Sequence, residues 1–130
     1  MSAPGQQGSA GVPAISVVVP VYNGEATLAE LVARLGAVLA GLGGPYEAIL
    51  VDDGSRDSSW ALIQDLAARH PWVSGIDLMR NYGQHNALLC GIRAARGEIV
   101  VTMDDDLQHP PEEIPLLLQK LAEGYDVVYG

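Results

Sequence analysis

The chain has 130 residues, 48% of them hydrophobic, enough for one domain with a core and too apolar for a disordered tail. Sixteen acidic residues against 7 Lys and Arg give a formal net charge of -9, so no basic stripe can neutralise a phosphate backbone and nucleic acid is not an expected partner. A single cysteine, Cys90, excludes a disulfide framework, and the longest uncharged apolar run, Leu35 to Gly44, falls well short of the roughly 20 residues of a membrane-spanning helix.

Met1 to Pro13 is rich in Gly, Ser, Ala, Gln and Pro without periodicity and reads as a flexible leader, with no charged start followed by an apolar core of the kind that marks secretion. The fold is expected over residues 14–130. A β-branched run, Ile15 to Val19, predicts the first strand, and Leu28, Leu31, Val32, Leu35, Val38 and Leu39 then recur at helical spacing. Ala48 to Val51 predicts a second strand, followed by Asp57 as N-cap of a helix with Trp60, Ile63 and Leu66 on one face. Val73 to Met79 reads as a third strand, Gln84 to Arg96 as a helix closed by Gly97, and Ile99 to Met103 as a fourth strand. Ile114, Leu117, Leu118 and Leu121 give the core face of a fourth helix, and Val127 to Tyr129 begins a fifth strand.

This alternation predicts an α/β fold, a Rossmann-like, open and mostly parallel sheet with helices on both faces, truncated after the fifth strand. Ligands of such sheets bind beyond the carboxyl ends of the strands, where the strand order reverses. The unusual residues follow strands: Pro20, Tyr22 and Asn23 after the first, Asp52 and Asp53 after the second, Asp104 to Gln108 after the fourth. A strand order 3-2-1-4 brings those three segments to one crevice.

The segment Asp104-Asp105-Asp106-Leu107-Gln108 carries the strongest chemistry. Alternate side chains of an extended segment point the same way, so Asp104, Asp106 and Gln108 can converge while Asp105 faces elsewhere. Two carboxylates and an amide oxygen make a hard site suited to Mg²⁺ or Mn²⁺, and a cation there removes the mutual repulsion of the acids. The competing reading is a solvated acidic turn, with Glu112 and Glu113 favourably placed at the start of the next helix. An EF-hand is disfavoured, because Pro115 stands where the bidentate Glu belongs.

Val51-Asp52-Asp53-Gly54-Ser55 ends a strand in two acids, which suit the N–H groups of a base or the hydroxyls of a ribose and equally suit an Asx-type turn. Tyr22 offers a ring for stacking on a base or for plain packing. Arg80 to His85 lead into a helix whose free N–H groups favour an anion, with Arg80 as a phosphate partner or a surface ion pair. His70, His85 and His109 lack zinc spacing; His109 is a turn histidine or an aid to the cation. No P-loop is present, and Gly41-Leu42-Gly43-Gly44 precedes a strand and not a helix, against a dinucleotide fingerprint. A receiver-type phosphoacceptor site is disfavoured, since Tyr22-Asn23 follow the first strand where its acids belong.

The set VVVPVYN, ILVDDGSRDSSW, RNYGQHNALLCGIRAARGEIVVTMDDDLQHPPEEIP and GYDVVYG resembles, in order and spacing from Ile15 to Gly130, the amino-terminal half of family-2 glycosyltransferases of GT-A fold. The likeness is strongest to the polyprenyl-phosphate (dolichyl- or undecaprenyl-phosphate) sugar transferases. The resemblance implies a nucleotide-sugar donor (UDP- or GDP-linked) and a divalent cation, Mg²⁺ or Mn²⁺, on Asp104, Asp106 and Gln108, with Asp104 and Asp106 catalytic through it. Pro20, Tyr22, Asp52 and Asp53 match positions that line the base and ribose pocket, and Arg80, Gly83 and Asp105 join the donor-binding set. It further implies inverting transfer to a polyprenyl phosphate at the cytoplasmic face of a membrane. Two positions depart from the family pattern. Many relatives carry an acid directly after Tyr-Asn, where this chain has Gly24 and then Glu25, and the middle residue of the acidic triplet is commonly small, where this chain has Asp105. Relatives also continue into an acceptor-binding half, so this chain by itself is expected to bind donor with little or no transfer; the competing class is a non-catalytic α/β binding or assembly module.

Overall fold

The computed structural model describes residues 14–107 and 110–122. Four strands, β1 (Ile15–Val21), β2 (Tyr46–Asp52), β3 (Val73–Asp77) and β4 (Ile99–Thr102), form one parallel sheet in the order β3-β2-β1-β4. The helices are α1 (Leu28–Leu42), α2 (Ser59–Arg69), α3 (Gln84–Ala94) and α4 (Ile114–Ala122), the last preceded by a 3-10 turn at Pro111–Glu113. The expected fifth strand, Val127 to Tyr129, lies outside the described residues.

Every residue of β1 is buried, which explains why its sequence is apolar at every position but Ser16 and does not alternate: both faces of a central parallel strand are covered. Val17, Val19 and Val21 pack with Ala48 and Leu50 under Leu28, Leu31, Leu35 and Leu39 of α1, Ile63 and Leu66 of α2 and Ile114 of α4. Val18, Ile49 and Val51 face the other way, under Ala87 of α3. Helix α3 lies close because its buried positions are small: a Cβ on Gly91 would meet Val18 Cγ1 at 2.3 Å and Val51 Cγ2 at 3.1 Å. Helix α1 ends at Gly43, whose φ of 81° is the left-handed cap that glycine adopts without a Cβ penalty.

Several boundaries differ from the sequence-based expectation. Strand β3 stops at Asp77, because the Asp77 carboxylate accepts the Met79 N–H (2.8 Å) in a turn that gives Met79 a φ of 69°. Helix α2 is capped at Ser58, with Asp57 one step outside it, accepting the Ser59 N–H at 2.9 Å. Helix α3 ends at Ala94 with Ala95 extended, so Gly97 is no helix cap. Gly97 is there for space, since a Cβ would stand 2.7 Å from Ser16 Oγ and 2.8 Å from the Ser16 nitrogen. Beside it the buried Glu47 accepts from Ser16 Oγ (2.5 Å) and the Arg96 N–H (2.8 Å), tying the amino ends of β1 and β2 to the entry of β4.

The opposite end of the sheet opens. Strand β4 pairs with β1 from Ile15↔Ile99 to Val18↔Thr102, with a last bond from the Met103 N–H to the Val18 carbonyl, whereas β2 follows β1 as far as Val21↔Asp52. Pro20 lies past the end of the β4 ladder, on the side of β1 from which β4 has departed, so its missing N–H breaks no bond. The crevice left between the carboxyl ends of β1 and β4 is where the strand order reverses, since β3 and β4 follow each other in sequence but lie on opposite sides of the β1–β2 pair.

Candidate functional site

That crevice is a cleft of about 180 Å³ lined by Pro20, Val21, Tyr22, Asp53, Gln84, Asp104, Asp105 and Asp106. Six expected site residues, Pro20, Tyr22, Asp53, Asp104, Asp105 and Asp106, are therefore brought together by the ends of three strands. Asp52, Arg80 and Gly83 are not among the lining residues, and Gln108 and His109 lie outside the described residues. Val21 and Gln84 were not anticipated.

The two acids after β2 act mainly on neighbouring loops. Asp53 is 3% exposed, and its two carboxylate oxygens accept the Tyr82 N–H (2.7 Å) and the Gly83 N–H (3.1 Å), holding the β3–α3 loop against the end of β2. Gly54 completes that junction. It has a φ of 73°, and a Cβ on it would come within 2.3 Å of the Arg80 carbonyl carbon and the Asn81 nitrogen. Asp52 is equally buried; desolvation raises its pKa above the ordinary carboxylate range, opposed by the hydrogen bond it accepts from Ser55 Oγ. Arg80 is exposed, its guanidinium 5.4 Å from the centre of the Tyr82 ring.

The β1–α1 loop carrying Tyr22 is braced from the β2–α2 side. Asn23 N–H donates to Ser55 Oγ (2.9 Å), Gly24 N–H to Ser59 Oγ (2.8 Å) and Glu25 N–H to the Asp57 carboxylate (3.2 Å), while Arg56 N–H donates back to the Asn23 side-chain oxygen (2.8 Å). Glu25 thus points to the start of α2, where it also accepts the Ser58 N–H at 3.4 Å. Asp57 is desolvated, but the hydrogen bonds from Ser59 and the Glu25 N–H hold its carboxyl below the usual range. None of these serines was singled out from the sequence; the signal was their density, Ser55-Arg56-Asp57-Ser58-Ser59, directly after a Gly turn.

On the far side of the cleft the three aspartates diverge in role. Asp104 accepts a hydrogen bond from Gln84 Nε2 at 2.7 Å, so the first residue of α3 reaches across and orients it. Asp105 turns under the β1–α1 loop, where its carboxylate accepts the Tyr22 N–H at 3.2 Å, and burial, with Asp106 and Asp104 beside it, raises its pKa although that hydrogen bond works the other way. Asp106 is exposed. Four carboxylates and no Lys or Arg line the cleft, a field that repels an anion and attracts a cation. Among the described residues no three His, Cys, Asp or Glu side chains gather into a metal-holding group. Two carboxylates, with water or a ligand's phosphate oxygens supplying the rest, is nevertheless the usual way in which Mg²⁺ is held.

An open parallel sheet with an acid-lined cleft at its switch point defines the class of α/β domain whose ligands bind beyond the carboxyl ends of the strands. Residues 16–130 match the model of glycosyl transferase family 2, and the chain belongs to that family. Similar curated proteins include the undecaprenyl-phosphate 4-deoxy-4-formamido-L-arabinose transferases of Pseudomonas paraeruginosa (54% identical over 115 residues, 88% of this chain and 34% of that protein) and Shewanella sediminis (52% over 115 residues, 88% and 35%). The chain therefore spans about a third of the length of these relatives. Among solved structures, a mannosyltransferase from Pyrobaculum calidifontis in complex with GDP-Man and Mn²⁺ is similar, with a TM-score of 0.66 and 27% identity over 80% of this chain and 30% of that one. S. aureus TarS 1-349 in complex with UDP-GlcNAc aligns at a TM-score of 0.63 and 26% identity, over 84% of this chain and 30% of that one. The fold is that of the GT-A glycosyltransferases, as the sequence motifs implied.

Proposed function

We propose that this chain is the donor-binding part of a glycosyltransferase that takes a sugar from a nucleoside diphosphate carrier and passes it to a polyprenyl phosphate. The observation that carries the reading is the charge of the cleft: four carboxylates and no basic residue, at the place in the sheet where a nucleotide is expected. A diphosphate cannot be held against that field without a cation. Asp104 and Asp106, with Gln108, would hold Mg²⁺ or Mn²⁺, and Gln84 keeps Asp104 turned towards it. When bound, the cation neutralises charge that grows on the departing diphosphate.

The remaining residues orient the donor. Tyr22, 44% exposed at the cleft wall beside Pro20, offers a ring face to a base, and Asp53 fixes the loop that opposes it. Arg80, near the start of α3, is free to turn from the Tyr82 ring to a phosphate. The names of the curated relatives support an undecaprenyl-type acceptor, and the nucleotide complexes of the structural neighbours support a UDP- or GDP-linked donor. A lipid phosphate is anionic near neutral pH and needs no strong base to attack an anomeric carbon. Among the described residues no helix is long and apolar enough to cross a membrane.

The test is isothermal titration of UDP- and GDP-sugars into the chain with Mn²⁺, then with chelator, and into Asp104→Ala. Saturable binding that weakens at least tenfold on chelation and in the variant is expected. Affinity indifferent to both treatments rejects the cation-held donor.

A further inference from the structure

The aspartate in the middle of the acidic triplet has a conformation that separates it from its neighbours. Its carboxylate Oδ2 accepts the Tyr22 N–H at 3.2 Å, and its backbone carbonyl accepts from Thr27 Oγ1 at 2.5 Å, so both ends of Asp105 are fastened to the β1–α1 loop. Gly24 in that loop is buried, and a Cβ there would lie 2.5 Å from Asp105 Oδ2 and 3.3 Å from its Cγ. Gly24 is not among the described glycines with positive φ, so the backbone does not require glycine there. The space does. The other side of the loop is braced by Ser55, Ser59 and Asp57, and Asp105 links it to the turn carrying Asp104 and Asp106.

We propose that Asp105 is a positioning residue and not a cation ligand: its carboxylate occupies the room left by Gly24 and locks the Tyr22 loop to the acid-bearing turn. The two walls of the cleft, one meeting the base and the other the diphosphate, are thereby held at a fixed separation. This rests on the donor-site reading above, and it makes positions 24 and 105 one steric unit.

The experiment measures UDP and GDP affinity with Mn²⁺, and the melting temperature, for the chain and its Asp105→Ala, Asp105→Asn, Gly24→Ala and Gly24→Ala/Asp105→Ala variants. Loss of a hydrogen bond to a charged group predicts that Asp105→Ala binds about tenfold more weakly. Asp105→Asn keeps an oxygen for the Tyr22 N–H and stays within about threefold. Gly24→Ala costs about tenfold beside Asp105 and under about threefold beside Ala, the non-additivity expected of groups in contact. Equal losses in Asp105→Asn and Asp105→Ala would mean that charge at the cation matters and would overturn the proposal. So would a Gly24→Ala penalty independent of residue 105. If the unaltered chain binds neither nucleotide, the donor-site reading fails and the positioning role with it, whereas the steric unit is judged separately by melting temperature: non-additive shifts uphold it, additive shifts remove it.

Discussion

Replacing Asp53 by Ala tests the claim that this acid holds a loop. The carboxylate is 3% exposed and its two oxygens take backbone N–H groups at 2.7 and 3.1 Å, so the substitution strands two donors of the β3–α3 loop at once. Hydrogen bonds to a charged acceptor contribute about 1.5–3 kcal/mol each. Two effects reduce the sum. Tyr82 is 51% exposed, so water can reach the freed amides, and removing one of four clustered acids relieves some repulsion. The net loss is expected to be about 2–3 kcal/mol, or roughly a 10 °C fall in melting temperature for a domain of this size. Asp53→Asn, which keeps one acceptor oxygen, should lose about half as much. Urea unfolding followed by circular dichroism measures both, with the slope checked for constancy. A loss under about 0.5 kcal/mol for Asp53→Ala, the range of ordinary surface changes, would refute the bracing role.

Gly54→Ala should destabilise by more than about 2 kcal/mol, because the new methyl meets backbone atoms of Arg80 and Asn81 and the φ of 73° disfavours any side chain; a thermal melt within 2 °C of wild type, about 0.5 kcal/mol, would contradict this. Asp52, whose pKa is raised by burial, binds its proton more tightly folded than unfolded, so its contribution to stability falls as pH rises above the unfolded value of about 3.9. Asp52→Asn should therefore gain on the wild type as pH rises from 4 to 7 in urea titrations, and a pH-independent difference would count against the shift. Glu47→Ala removes the acceptor of Ser16 Oγ and the Arg96 N–H in a buried site and should cost about 2–3 kcal/mol in the same assay, while leaving nucleotide affinity unchanged, since it lies at the far end of the strands.

The parts of the fold that came directly from the sequence are those where one force dominates. The run Ile15 to Val19 and the Leu28–Leu39 spacing reflect mainly burial, and the strand order 3-2-1-4, considered because it joins the odd residues of three loops, is the order found. Misreadings fell where a residue answers to a distant partner. Gly97 looked like a helix cap, but the reason for it is Ser16, 81 positions away. Met79 extended the apolar run of β3 on paper, yet the Asp77 carboxylate turns the chain first. Within the cleft, the alternation of an extended segment set Asp105 apart from Asp104, but not what it would meet: the Tyr22 amide and the missing side chain at position 24 lie about 80 residues away in sequence. Gln84 escaped notice because its partner lies 20 residues downstream.

Continuing the β1–β4 register two steps beyond Val18↔Thr102 sets Pro20 opposite Asp104. An imino acid there acts as a zipper stop. Any residue with an amide hydrogen in its place would offer Met103 a bond and invite the fourth strand to keep climbing, drawing Asp104 flat into the pleat and narrowing the mouth. The ring of Pro20 thus withholds the bond that would carry the ladder one step further into the mouth of the cleft.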